Sequence, residues 1–159
     1  MSGGTDGVRA RRGDAGAEGS GYLHTPAGAG VVSLSALHGA LLDLYGRFAG
    51  RCRGLSLRHY ATGGTLLGAV RHGGFIPWDD YFDVVMPRPD YMKFLEAFKA
   101  EPLSGTRISL WGEDPSWPWH FAKIRDSRPG VEERVVRETG LPLSDGIGID
   151  LIPIDGMPK

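Results

Sequence analysis

The sequence predicts an α/β (α+β) fold. Apolar residues recur at helical spacing in two segments, short apolar runs of strand length lie around them, and the two kinds of segment alternate along the chain. The chain has 159 residues, with 18 Lys and Arg against 19 Asp and Glu and a net charge of −1. Near-neutral charge and scattered basic residues argue against a nucleic-acid partner. A single cysteine, Cys52, excludes an internal disulfide and any zinc site built on several thiolates, and it fits a reducing compartment. No run of about 18 apolar residues is present, so no membrane-spanning helix is expected. The first residues lack the apolar core of a secretory signal, and a cytoplasmic location is the resulting expectation.

Residues 1–30 hold nine of the 25 glycines and almost no large apolar side chains. Such a segment buries too little apolar surface to offset its ordering entropy, so a disordered Gly/Ala-rich tail is expected there. The folded domain is expected over residues 31–159. Leu34, Leu37, Leu41, Leu44 and Phe48 share one helix face, with Ser33 as N-cap and Gly54 as stop. Cys52 continues that face as a small buried hydrophobe. A strand is expected over residues 57–61 and a short helix from Thr65 to about Arg71. Residues 82–86 form a strand, and a helix follows with Pro89 at its first position and Asp90 in its first turn. Tyr91, Phe94, Leu95 and Phe98 give that helix its buried face, and Pro102 ends it. Further strands are expected over residues 107–111, 119–124 and 147–154, with a short helix at 132–139.

The chemistry concentrates in GGTLLGAVRHGGFIPWDD, residues 63–80, and in Asp83 beyond it. A strand, a Gly-Gly-Thr turn and a helix start can form an anion site, because glycine admits a close phosphate and free N–H groups point at it. Gly-Gly turns are also common without such a role. Asp79, Asp80 and Asp83 cluster near the start of one strand, and Asp150 interrupts another apolar strand, with Asp155 at its end. A carboxylate among Ile147, Ile149, Leu151 and Ile152 is costly to bury unless paired or bound to a metal. Hard oxygen donors from two strands suit Mg²⁺ or Mn²⁺, which in turn suit phosphates. The other reading makes Asp79 and Asp80 a solvated loop and Asp150 an edge residue.

These residues carry a resemblance. The block at 63–80, followed by Asp83, Met86-Pro87-Arg88 and Asp90-Tyr91, is similar to the LicD/fukutin family. AKIRDS at 122–127 and IDLIPIDGMP at 149–158 resemble its next two blocks in the same order. The resemblance covers roughly residues 34–159. It implies a nucleotidyltransferase-like mixed sheet flanked by helices. It also implies metal-dependent transfer of a phospho-group, phosphocholine-like in bacterial members, from a nucleotide-activated donor such as CDP-choline to a glycan acceptor such as lipopolysaccharide or teichoic acid. Asp79, Asp83 and Asp150 match its catalytic acidic positions, and Asp79, Asp80, Asp83 and Asp150 are the candidate ligands for Mg²⁺ or Mn²⁺. Gly64 and Thr65 match the phosphate-facing turn. Arg71, His72, Arg88 and Lys123 match basic positions expected to face the donor.

The chain departs from the family pattern at several points. Where the family has a third aspartate after the tryptophan, this chain has Tyr81. In a strand, residues 81 and 83 share a face, and a neutral phenol is a poor Mg²⁺ ligand beside a carboxylate. Asp79 on an extended strand would stand about 13 Å from Asp83 at about 3.3 Å per residue, unless the segment bends near Pro77. The family domain usually runs well past Met157-Pro158, so a C-terminally truncated domain is expected. Pro129-Gly130 should interrupt any regular element. The leading expectation is therefore a metal-dependent phosphotransferase. The alternative is a catalytically degenerate relative that binds a ligand or partner without turnover, and a weaker one is a metal-dependent phosphohydrolase.

Overall fold

Alternation of buried and half-buried residues over residues 83–87 and 148–152 decides how the chain layers. The computed structural model describes residues 33–126 and 147–156. In chain order they form α1 (Leu34–Gly54), β1 (Tyr60–Ala61), α2 (Gly63–His72), β2 (Asp83–Pro87), α3 (Arg88–Ala100), β3 (Thr106–Ser109), β4 (Ala122–Asp126) and β5 (Gly148–Ile154). The expectations for residues 1–30, for the helix at 132–139, for Pro129-Gly130 and for Met157-Pro158 lie outside the described residues.

The strands form one mixed sheet in the order β1-β2-β5-β4-β3. β2 and β5 run parallel, and the other three pairings are antiparallel. The sheet and its helices bear out the α+β architecture. Val84, Met86, Ile124, Ile149 and Leu151 face α1 and α3, where they meet Leu37, Leu41, Leu44, Phe48, Cys52, Phe94 and Phe98 in one core. Because side chains alternate across a strand, Asp83, Lys123, Arg125, Gly148 and Asp150 fall on the opposite face. No helix among the described residues is long and apolar enough to cross a membrane.

Local chemistry explains where the elements begin and end. The Ser33 hydroxyl accepts from the Ala36 amide at 3.2 Å and caps α1. Burial pushes the Cys52 thiol up to about 12, so it is a neutral core side chain. The expected strand at 57–61 shrinks to Tyr60–Ala61. The residues ahead of it are occupied in closing α1: the amides of Leu55, Ser56 and Leu57 donate to carbonyls of the last helical turn. Arg58 is held by Asp90, which accepts from its amide at 3.1 Å and from Nε at 2.7 Å.

Two other strands shift by a few residues. β3 ends at Ser109 because the Leu110 carbonyl accepts from the amides of Glu113 and Asp114, which starts a turn. β4 begins only at Ala122 because Trp117, Trp119 and Phe121 pack ring on ring before it.

α2 lies against residues 73–76 without intervening side chains. A Cβ placed on Gly68 would meet the Gly74 carbonyl oxygen at 2.6 Å and the Ile76 amide nitrogen at 2.7 Å. Gly39, exposed on α1, has nothing within 4 Å of such a Cβ. The two glycines therefore respond oppositely to the same change. Gly39→Ala raises the unfolding free energy by about 0.5–1 kcal/mol through helix propensity. Gly68→Ala lowers it by about 1–3 kcal/mol through overpacking. Urea denaturation of the two variants measures both.

Candidate active site

The site grows from one register. Asp83 on β2 pairs with Asp150 on β5, and Asp150 pairs with Lys123 on β4. Directly paired residues project to the same side, so two carboxylates and one ammonium stand in a row across three strands. Lys123 Nζ lies 3.2 Å from Asp150 Oδ1. The lysine is buried, 3 % exposed, and its stem crosses Gly148, where a Cβ would meet Lys123 Cε at 2.6 Å. Gly148 is thus the gap through which Lys123 reaches Asp150. The ammonium also sits 5.5 Å from the Tyr81 ring centroid and 5.9 Å from that of Trp117.

α2 closes the row at the Asp83 end. Gly63 adopts φ +53°, a conformation that L side chains rarely take. A Cβ on Gly63 would stand 2.9 Å from Asp83 Oδ2, and one on Gly64 would overlap Asp79 Oδ2. The Gly-Gly pair thus admits the protein's own carboxylates to the first turn of α2, where the helix dipole favours negative charge. The Thr65 hydroxyl is engaged nearby, accepting from the Asp83 amide at 2.8 Å. That bond continues the backbone pairing of Asp83, whose carbonyl accepts from the Thr62 amide at 3.2 Å.

Asp79 reaches this place because the chain bends. The Asp79 amide donates to the Ile76 carbonyl at 2.9 Å across Pro77 and Trp78, and β2 begins only at Asp83. Asp79 Oδ1 accepts from the Tyr81 amide at 3.3 Å. The turn replaces the extended separation expected from an ideal strand and brings Asp79 and Asp83 over adjacent glycines. Asp80 follows Asp79, half-buried and still ahead of the strand. The Asp83 carboxyl registers the crowding. It is pushed up to about 6 by burial first, then by the negative charges of Asp150 and Asp79, with Lys123 pulling the other way.

The structure leaves three of the basic residues outside this cluster. Arg71 and His72 lie exposed in the last turn of α2, at the opposite end of that helix from Gly63 and Gly64. Arg88 begins α3 beyond the far end of β2, and its guanidinium binds both Asp155 oxygens at 2.7 and 2.6 Å.

Two residues not among the predicted site residues stand beside Lys123 instead. Trp117, whose Nε1 donates to the Phe121 carbonyl at 2.6 Å, carries Arg125 over its ring at 4.9 Å. Arg125 is fully buried and its Nε donates to Ser109 Oγ at 3.2 Å. Alternation within AKIRDS, which places residues 123 and 125 on one face, was the available signal for Arg125.

Among the described residues, no three His, Cys, Asp or Glu side chains form a ready-made metal cage. The donor chemistry nonetheless suits a hard divalent cation. Carboxylates from β2, β5 and the turn before β2 lie near enough to feel one another's charge, and burial together with that repulsion raises the Asp83 proton affinity, a cost that a cation would offset.

Residues 56–132 match the family described as LicD/FKTN/FKRP, nucleotidyltransferase domain. The match includes Gly63, Gly64, Asp79, Asp83 and Lys123, and Asp150 follows it. The chain belongs to this family. It is similar to the lipopolysaccharide cholinephosphotransferase LicD of Haemophilus influenzae, with 31 % identity over 120 residues, which is 74 % of this chain. The chain spans 43 % of the length of that relative.

The Asp83 shift has a stability consequence of definite sign. Its folded pKa lies above the unfolded value of about 3.9, so the native state holds the proton more tightly. The stability this contributes is complete below about pH 4 and is lost as pH rises toward 6. Asp83→Asn therefore stabilises the chain at pH 7.5, by on the order of 1 kcal/mol once screening at a half-exposed group is allowed for. It has little effect at pH 4. Thermal unfolding at the two pH values checks it.

Proposed function

We propose that this chain forms the nucleotidyltransferase-fold part of a metal-dependent phosphotransferase. On this reading it moves a phosphocholine-like group from a nucleotide-activated donor such as CDP-choline to a cell-surface glycan. The observation that carries the proposal is a row of carboxylates: Asp79 and Asp83 lie against the first turn of α2, and Asp150 stands beside Asp83 on the next strand, paired with Lys123. Family membership and the printed activity of the Haemophilus relative support it.

Asp83 and Asp150 hold Mg²⁺ or Mn²⁺ in this proposal, and Asp79 completes the oxygen donor set from the loop. A bound divalent ion supplies neutralisation of the charge on the donor phosphate oxygens. Lys123 holds the Asp150 carboxylate in place through the ion pair. Thr65 holds the start of β2, and with it the Asp83 backbone, at the Gly63-Gly64 turn. Donor phosphate approaches from the open side of this row, where the Tyr81 ring is 37 % exposed.

A second reading, ligand binding without turnover, rests on Tyr81. Its ring lies against Lys123 at the position where the family carries a further carboxylate, so the donor set has one anionic ligand fewer. Restoring it by Tyr81→Asp separates the readings. Gain of both Mn²⁺ affinity and choline-phosphate transfer marks a site short of one ligand, whereas gain of affinity alone marks a binding protein.

Calorimetric titration of Mg²⁺ and Mn²⁺, with and without CDP-choline, tests the main proposal. Metal-dependent nucleotide binding is expected in the unaltered chain, and Asp83→Ala or Asp150→Ala weakens it by at least about tenfold. A folded chain that binds neither metal nor nucleotide overturns the proposal.

A further inference from the structure

His38 belongs to none of the motifs above. It lies near the start of α1, between Leu34 and Leu41 on the edge of the apolar stripe. Its ring stacks on Phe75 with centroids 4.1 Å apart and planes 1° from parallel. Its Nε2–H donates to the backbone carbonyl of Asp79 at 2.6 Å. A carbonyl only accepts, so this bond places the proton on Nε2. One side chain of α1 therefore grips the acidic loop at two points.

The grip continues along the same helix. Tyr45, seven residues and two turns on, stacks on Phe82 at 4.8 Å, and Phe82 meets the edge of Phe75 at 5.7 Å. The loop from Phe75 to Phe82 is thus bracketed by two rings of α1, and Asp79 lies inside the bracket. The Asp79 carboxylate depends on that backbone. Oδ1 accepts from the Tyr81 amide, and Oδ2 overlies Gly64.

We infer that His38 is a positioning residue. By holding the Asp79 carbonyl it keeps the Asp79 carboxylate over Gly64 and beside Asp83, as the loop-borne oxygen donor of the divalent-cation site. The geometry stands by itself, and the link to the cation rests on the proposed function. Outer groups that orient a ligating side chain typically govern metal affinity by tenfold or more. Here the oriented unit is the ligand's own backbone.

Two measurements on the full chain test this. Amide hydrogen exchange reports the hold on the loop, and Mn²⁺ titration reports its consequence. In His38→Ala, exchange over residues 75–81 accelerates, and Mn²⁺ affinity falls about tenfold, to the level of Asp79→Asn. His38→Gln, whose amide N–H can reach the same carbonyl, recovers most of that affinity. A purely structural role would not discriminate between the two replacements.

Unchanged exchange in His38→Ala overturns the inference, whether or not metal binds. Faster exchange with undiminished Mn²⁺ affinity, while Asp79→Asn weakens it, also overturns the inference and leaves the cation site standing. A wild-type chain that binds no Mn²⁺ overturns the cation site first, and with it the positioning role. Phe75→Leu removes the stack while keeping the hydrogen bond, and it serves if His38→Ala does not fold. Its exchange over residues 75–81 is faster than wild type, and an unchanged rate overturns the inference.

Discussion

Parallel pairing of β2 with β5 places Asp83 directly against Asp150, and the rest of the site answers that juxtaposition. Two half-buried carboxylates on neighbouring strands repel each other, and burial removes the water that would screen them. The raised Asp83 pKa is the mark of this cost. A fold keeps such an arrangement when surrounding groups offset it, and each neighbouring element of this one supplies a part.

β4 contributes Lys123, threaded past Gly148 to Asp150 and flanked by the rings of Tyr81 and Trp117. α2 contributes the positive end of its dipole, made accessible because Gly63 and Gly64 carry no side chains. Thr65 contributes the hydroxyl that satisfies the Asp83 amide where the strand ladder begins. The compensation is incomplete, since Asp83 remains shifted upward. On the proposed function, that residual negative potential is what a hard cation would offset.

α1 has two duties. Its inner stripe of Leu37, Leu41, Leu44 and Phe48 fills the core beneath the sheet. Its flank, through His38 and Tyr45, holds the loop that carries Asp79. The core thereby sets the geometry of the acidic site on the other side of the sheet, because one rigid helix touches both.

The sequence by itself determined the ordering of elements, the apolar faces of α1 and α3, and the identity of the acidic cluster, since these depend on local periodicity and residue chemistry. It also carried the family resemblance through long contiguous blocks. It did not reveal that Arg88 would turn to Asp155, that Arg71 and His72 would lie at the far end of α2, or that the Gly-Gly turn would receive carboxylates. Nor did it show that His38 and Arg125 stand near the site. Only the tertiary structure decided these points. Each is a contact between segments far apart in the chain, set by strand register and helix docking, and one-dimensional spacing is blind to both. The turn at Pro77 is the clearest instance. Asp79 and Asp83 are four positions apart, enough to hold them apart on a straight strand, and a single bend held from α1 brings both to the first turn of α2.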